Sequence, residues 1–330
     1  MSSPTPPWLR FAWWNVNSFA HYDPKRAGER FWPLVREEYT EKCERVDNAL
    51  RYLIQVHDPD LLGLGEITSS AAESLRARLF PDFKLVFPEV LHVSSFQVAV
   101  LYRAGTQIRK QLPLLASDVP RTTRSMAIVE STRADHGIAF VFCHWTAFGE
   151  NATTYRERLA DAASAYAYGY VNDPKRKVPR HVILLGDLNA EPFDTVFLNR
   201  LHASRDRDHS RRRTHPADRH VRRVRFYNTG WRLLGECYPH SPISSLQHFA
   251  GTYYNRKERA WHSYDQVLVT GGLLGNHPPY LDESGLGIRI LPGCLGNDGK
   301  PEAFSWSNGI ATGLSDHLPL TGRVILQSSE

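Results

Sequence analysis

Short apolar runs, each closed by a polar cluster, set the pattern of this chain. Residues 10–16 read as a strand ending in polar Asn15 and Asn17, after a Ser/Pro-rich leader over 1–9. Pro24 to Pro33 reads as a charged loop. From Leu34 to Val56 the apolar positions Val46, Ala49, Leu50, Leu53 and Ile54 recur at helical spacing. That helix stops before Asp58–Pro59, because the residue before proline is pushed out of the helical region. Leu61 to Leu64 is a buried strand that delivers Glu66, and a second helix spans Ser69 to Leu79. Strands follow near 84–87, 97–103, 107–111, 125–132 and 137–144, and Thr153 to Tyr170 is an Ala/Tyr-rich helix. Later strands fall at 181–185, 264–270, 286–291 and 320–326. Strands broken by a few helices predict packed sheets with helices outside, an α/β sandwich.

Length and charge narrow this picture little. The polar clusters are spread over all 330 residues, so neither half holds a complete site and 10–330 reads as one domain. A formal charge of +5 mildly favours a polyanionic partner. Cys43, Cys143, Cys237 and Cys294 are far apart, which excludes a CxxC-type zinc cluster and argues against a disulfide framework. The start MSSPTPPWLR has no apolar signal-like core, and no apolar run approaches the ~18 residues of a membrane span. The expectation is a soluble, cytoplasmic protein.

The segment 199–225 stands apart, with ten arginines against three aspartates. It reads as a surface insertion, either a solvated loop or a phosphate-binding arm.

Chemistry enters at the ends of the apolar runs. WWNVNSF, LLGLGEI, VFCHWTAF, VILLGDLNAEP, SYDQVLV and GLSDHLPL end or begin in Asn15, Asn17, Glu66, His144, Asp187, Asn189, Asp265, Asp316 and His317. Brought to one rim, these groups make a hard-metal site with acid/base residues beside it. Asp187 and Asn189, two apart on an extended strand end, would face one way; Gly-Asp-x-Asn also suits a turn. Alone, Glu66 could be a helix N-terminal carboxylate and His144 a core histidine. Trp13, Trp14, Trp145 and Trp306 flank the motifs, to stack on bases or, for most of them, to fill the core.

The order and spacing of these six motifs, from about residue 11 to 326, resemble the endonuclease/exonuclease/phosphatase superfamily with its deoxyribonuclease I-like fold. The resemblance implies a four-layered sandwich of two packed, mostly antiparallel sheets flanked by helices. It implies Mg²⁺ or Mn²⁺ held by Asn15, Glu66 and Asp316, and catalysis by His144, Asp187, Asn189, Asp265 and His317. His317 is expected to pair with Asp265, while Asp316 turns toward the metal. Asn17, Arg124 and Asn189 are candidate substrate contacts.

Departures sort the branches. Phe96 and Gln97 stand where pancreatic-type deoxyribonucleases place a glutamate, and Gly65–Glu66–Ile67 replaces the Gln-Glu-Thr of the apurinic-endonuclease branch. His262–Ser263–Tyr264–Asp265–Gln266 lacks the Trp-Cys-Asp-Arg run of inositol polyphosphate 5-phosphatases. The resulting expectation is a metal-dependent nuclease, DNA favoured over RNA. The alternative is an esterase acting on a small or lipid phosphate.

Overall fold

The computed structural model describes residues 7–19, 36–87, 97–104, 106, 108–110, 126–147, 149–175, 178–212, 224–234 and 250–327. In chain order the first elements are β1 (Trp8–Phe19), α1 (Arg36–His57), β2 (Leu61–Ile67), α2 (Ser69–Leu79), β3 (Phe83–Val86) and β4 (Gln97–Arg103). Next come β5 (Ile108–Lys110), β6 (Ala127–Ser131), β7 (Gly137–His144), α3 (Ala152–Val171) and β8 (Arg180–Asp187). Then β9 (Ala203–Ser204), α4 (Arg207–Arg211), β10 (Phe226–Asn228), β11 (Tyr253–Asn255), β12 (Ala260–His262) and β13 (Asp265–Thr270) follow. The last are β14 (Tyr280–Ile288), β15 (Ser305–Ser307), β16 (Ile310–Thr312) and β17 (Leu320–Ile325).

Two sheets carry the fold, one ordered β14-β17-β1-β2-β4-β3 and the other β5-β6-β7-β8-β13-β10-β9. Most neighbours are antiparallel; β1–β2, β7–β8 and β9–β10 are the parallel pairs. Side-chain alternation along β1 explains the layering. Leu9, Phe11 and Trp13 point between the sheets, against Phe140 and Phe142 of β7. Ala12, Trp14 and Val16 point the other way, onto Val46, Leu50 and Leu53 of α1 and Ala71 and Leu75 of α2. On the second sheet, Val141 and Leu184 pack outward on Leu159, Ala163 and Ala167 of α3. Helices, sheet, sheet and helix make the expected four-layered sandwich, with its apolar core between the sheets.

Several boundaries differ from the sequence pattern. β1 starts at Trp8, so Leu9, fully buried, belongs to the sheet rather than to the leader. The strand expected at 286–291 runs from Tyr280 to Ile288. It was hidden because it is an edge strand of mixed polarity whose pairing with β17 shifts register between Asp282 and Gly287. The described part of the arginine-rich segment is not bare loop. It holds β9 and α4, buries Leu201, Ala203 and Ser210, and ties Arg200 to Glu157 and Asp161 of α3. Residues 213–223 and the loop expected at 24–33 lie outside the described residues. Cys43, Cys143 and Cys294 are free thiols. No described helix is long and apolar enough to cross a membrane.

Candidate active site

Strand direction explains why residues far apart in sequence meet. β1 and β2 run parallel with Asn15 beside Gly65, so both end at the same edge of their sheet. β7 and β8 run parallel with His144 beside Asp187, and β13 starts opposite β8, with Asp265 facing Asp187. The edge so formed collects the polar ends of five apolar strands. Residues 315–317 enter from the turn before β17, and Ser315 ties them in. Its hydroxyl donates to the Asn15 carbonyl at 2.7 Å and accepts from the His317 amide at 3.1 Å.

One half of the rim is built on a bulge. The β1–β2 register shifts between Asn15 and Phe19, and Asn17 and Ser18 take φ values of 53° and 56°. Glu66, opposite, sits at φ 57°. Bulges redirect side chains beside active sites, and here the redirected groups converge. Asn15 Nδ2 donates to Glu66 Oε1 at 3.3 Å and to Asp187 Oδ2 at 3.0 Å. The Ser18 amide and hydroxyl both donate to Glu66 Oε2, at 2.9 and 2.8 Å. Asn17 Nδ2 donates to Asp316 Oδ1 at 2.9 Å. Burial pushes the Asp316 carboxyl above the usual carboxylate range, with Glu66 adding to the rise and His317 opposing it.

The other half is a chain of ionisable groups. Trp13 Nε1 donates to Asp265 Oδ1 at 2.7 Å, and Asp265 Oδ2 lies 2.7 Å from His317 Nδ1. His317 Nε2 faces Asp187 Oδ2 at 3.7 Å. Burial disfavours a charged His317, but Asp265 and Asp187 outweigh it and raise the imidazole to about 10. Burial raises Asp187 to about 7, with Asp265 and Glu66 adding to the rise and His317 opposing it. His144, fully buried, points Nε2 between Glu66 Oε1 at 3.6 Å and Asp187 Oδ2 at 3.7 Å. The Tyr253 ring packs on His317 with centroids 4.7 Å apart.

Asn189 differs from the extended-strand expectation. β8 ends at Asp187, and Asn189 turns to φ 47°, its amide donating to Asp187 Oδ1 at 3.0 Å. Its Nδ2 donates to the Trp145 carbonyl at 2.9 Å. The turn chemistry of Gly-Asp-x-Asn therefore prevails locally while Asn189 stays next to the rim.

The donor set suits a hard divalent cation. Glu66, Asp316 and the Asn15 amide offer oxygens, the preference of Mg²⁺ and Mn²⁺, and the carboxylates of the rim crowd one another, which helps to raise the proton affinities of Asp187 and Asp316. Asp187, Asp265 and His317 also bring one ligand atom each within 4.8 Å of one another. Within that trio Asp265 is fully buried and hydrogen-bonded to both the Trp13 indole and His317, an arrangement suited to proton handling.

Asn15, Asn17, Glu66, His144, Asp187, Asn189, Asp265, Asp316 and His317 thus gather at one rim. Arg124 lies outside the described residues. Trp13, Trp14 and Trp145 are fully buried, so they build the core rather than a stacking surface. Trp306 lies part-exposed on the β15–β16 hairpin. The replacement of the branch glutamine by Gly65 has a cause, because a Cβ there would lie 2.8 Å from the Trp13 indole. The sequence did not single out Ser18, Ser315 or Tyr253. The serine of SDH was a usable signal; Tyr253 sits in a three-residue strand with no apolar run to mark it.

A rim of carboxylates, amides and histidines on a sandwich of this layering is the make-up of phosphoester hydrolases with the deoxyribonuclease I-like fold. The chain belongs to the Endonuclease/Exonuclease/phosphatase family, whose model matches residues 12–317. Among solved structures it is similar to humanized D. rerio TDP2, with a TM-score of 0.56, 14% identity, and coverage of 97% of this chain and 99% of that one. D. rerio TDP2 complexed with single strand DNA product gives a TM-score of 0.55 at 13% identity, covering 96% and 98%. A mannosyl-6-phosphatase from Bacteroides thetaiotaomicron gives 0.51 at 14%, covering 96% and 100%. No curated protein sequence matches the chain.

Proposed function

We propose that this chain is a divalent-metal-dependent phosphodiesterase that cleaves nucleic acid, with DNA preferred to RNA. The observation that carries the reading is the relay Trp13–Asp265–His317, aimed at Asp187 across 3.7 Å. A phosphodiester resists water because its anionic oxygens repel the nucleophile and its leaving alkoxide is poor. Glu66, Asp316 and Asn15 would hold the cation, which would supply charge neutralisation for those oxygens and for the leaving one. Asp187, raised to about 7, orients the attacking water and takes its proton near neutral pH. His317, kept charged by Asp265, holds the scissile phosphate, and Asn189 and Asn17 bind its oxygens. His144 hands a proton to the leaving oxygen. The net charge of +5 and the arginines of 199–225 favour a polyanion, as does the likeness to a TDP2 structure that holds single strand DNA product.

The likeness to a mannosyl-6-phosphatase supports the second reading, a phosphatase of small phosphate esters. A panel of plasmid, single-stranded DNA, RNA and small phosphoesters, each with Mg²⁺ or EDTA, separates the two. DNA cleavage that EDTA abolishes is expected, and Glu66→Gln should cut it strongly. Turnover of phosphomonoesters alone would transfer the assignment to the second reading.

A further inference from the structure

Lysine is almost never fully buried unless its charge is matched. Lys42 lies on the inward face of α1 with 2% of its surface exposed. Its ammonium donates to the main-chain carbonyl of Asn17 and lies over the Phe304 ring, 5.1 Å from its centre. That carbonyl belongs to a strained segment. Asn17 and Ser18 are consecutive non-glycine residues in the left-handed region, a conformation that persists only where surrounding contacts enforce it. The same two residues grip Glu66 through the Ser18 amide and hydroxyl, and Asp316 through Asn17 Nδ2. The Asn17 amide in turn fixes Asn15 Oδ1 at 3.0 Å. A few residues along α1, Arg45 donates to the carbonyls of Ala311 and Gly313, which lead into Asp316.

We propose that Lys42 is a positioning residue for the cation site: its ammonium pins the Asn17–Ser18 bulge from below, and the bulge holds Glu66, Asp316 and Asn15 in the arrangement that binds the metal. This rests on the reading of those three residues as the cation-binding set. A methionine of similar length could also pack on the Phe304 ring, so that contact alone does not call for an ammonium here. Among the described residues the hydrogen-bonding task of the polar end is the Asn17 carbonyl. Burial disfavours the charged ammonium, lowering it to about 8, and Glu66, Asp316 and Glu38 oppose that loss, so the lysine is kept on the bulge by its carbonyl contact and by these carboxylates together.

The test uses the full chain stripped of metal, titrated with Mn²⁺ while the free-ion electron paramagnetic resonance signal is followed. Lys42→Met should weaken Mn²⁺ binding about tenfold or more, as loss of a group that orients metal ligands does, and Lys42→Arg should restore most of it. Ser18→Ala should weaken binding in the same direction. The double variant should be little worse than the worse single one, because both act through one bulge. Unchanged or tighter Mn²⁺ binding in Lys42→Met would overturn the proposal, as would full additivity with Ser18→Ala. Should Lys42→Met fail to fold, Lys42→Gln, too short to reach the carbonyl, is read by the same criteria. Glu66→Gln separates the two levels. If it leaves Mn²⁺ affinity intact, the cation assignment itself falls; if it abolishes binding while Lys42→Met does not, only the role of Lys42 falls.

Discussion

The indole of Trp13, buried between the sheets, donates its only polar hydrogen to Asp265 across 252 residues of chain. Asp265 is thus held on one oxygen by the first sheet while it engages His317 with the other. Trp13→Phe keeps most of the ring but leaves a buried carboxylate oxygen without its donor. Stability should fall by about 1–3 kcal/mol, and kcat should fall with it as His317 loses its fixed partner. Urea unfolding and steady-state kinetics on the same preparation check this. A variant unchanged in both would mean that the indole hydrogen bond is incidental.

His317→Ala should cost ~10²–10⁴-fold in turnover, the usual loss for a positioned acid or base. His144→Ala should cost less, because His317 is both fixed by Asp265 at 2.7 Å and kept charged by it while facing Asp187. The reverse ranking would exchange their roles.

A different histidine carries a loss of stability in acid. Burial, with His136 adding to it, lowers His181 to about 4, and its Nε2 has no partner among the described residues. The unfolded imidazole takes a proton at about 6.5, the folded one only near 4. Above the unfolded value the residue adds no pH dependence. Between the two values the unfolded state binds the extra proton, so stability falls with pH by up to about 3 kcal/mol, and below 4 the loss stops. His181→Leu should remove this loss, so between pH 7 and 4.5 its urea midpoint should fall less than that of the unaltered protein, or rise where the opposing contribution of Asp187 is left alone. An unchanged slope would place the acid sensitivity elsewhere.

Arg211 and Arg212 are exposed at the end of α4. Reversing both to Glu should move stability by no more than about 0.5 kcal/mol. Affinity for DNA should weaken, and its salt slope should drop by about one for each phosphate no longer neutralised. Hydrolysis of a small chromogenic phosphodiester should change little. An unaltered salt slope would leave the segment a solvated surface and remove one argument for nucleic acid.

Much of this architecture was legible in the sequence because each strand is an apolar run with a polar end. Leu61–Ile67 and Arg180–Asp187 are buried almost throughout, so their runs announce both the strand and the residue that it delivers. The β11–β12 hairpin is three residues a side and only half-buried, and so leaves no period to read. The bulge at Asn17 and Ser18 is equally silent, since a positive φ at non-glycine residues is enforced by tertiary contacts such as Lys42 and Glu66. The burial of Leu201 and Ala203 was masked by the charges around them.

Gly63 of β2 faces Phe142 of β7 so closely that a methyl group there would collide with the ring. Asn15 and Glu66 ride on one sheet, His144, Asp187 and Asp265 on the other, and Asn15 bridges to Asp187 at 3.0 Å. The sandwich therefore behaves as a caliper whose jaws are the sheets and whose gap is set at Gly63. A caliper opened by a fraction of an ångström still has both jaws. Gly63→Ala should silence hydrolysis while leaving circular dichroism nearly native, and low urea should extinguish activity before it melts a helix.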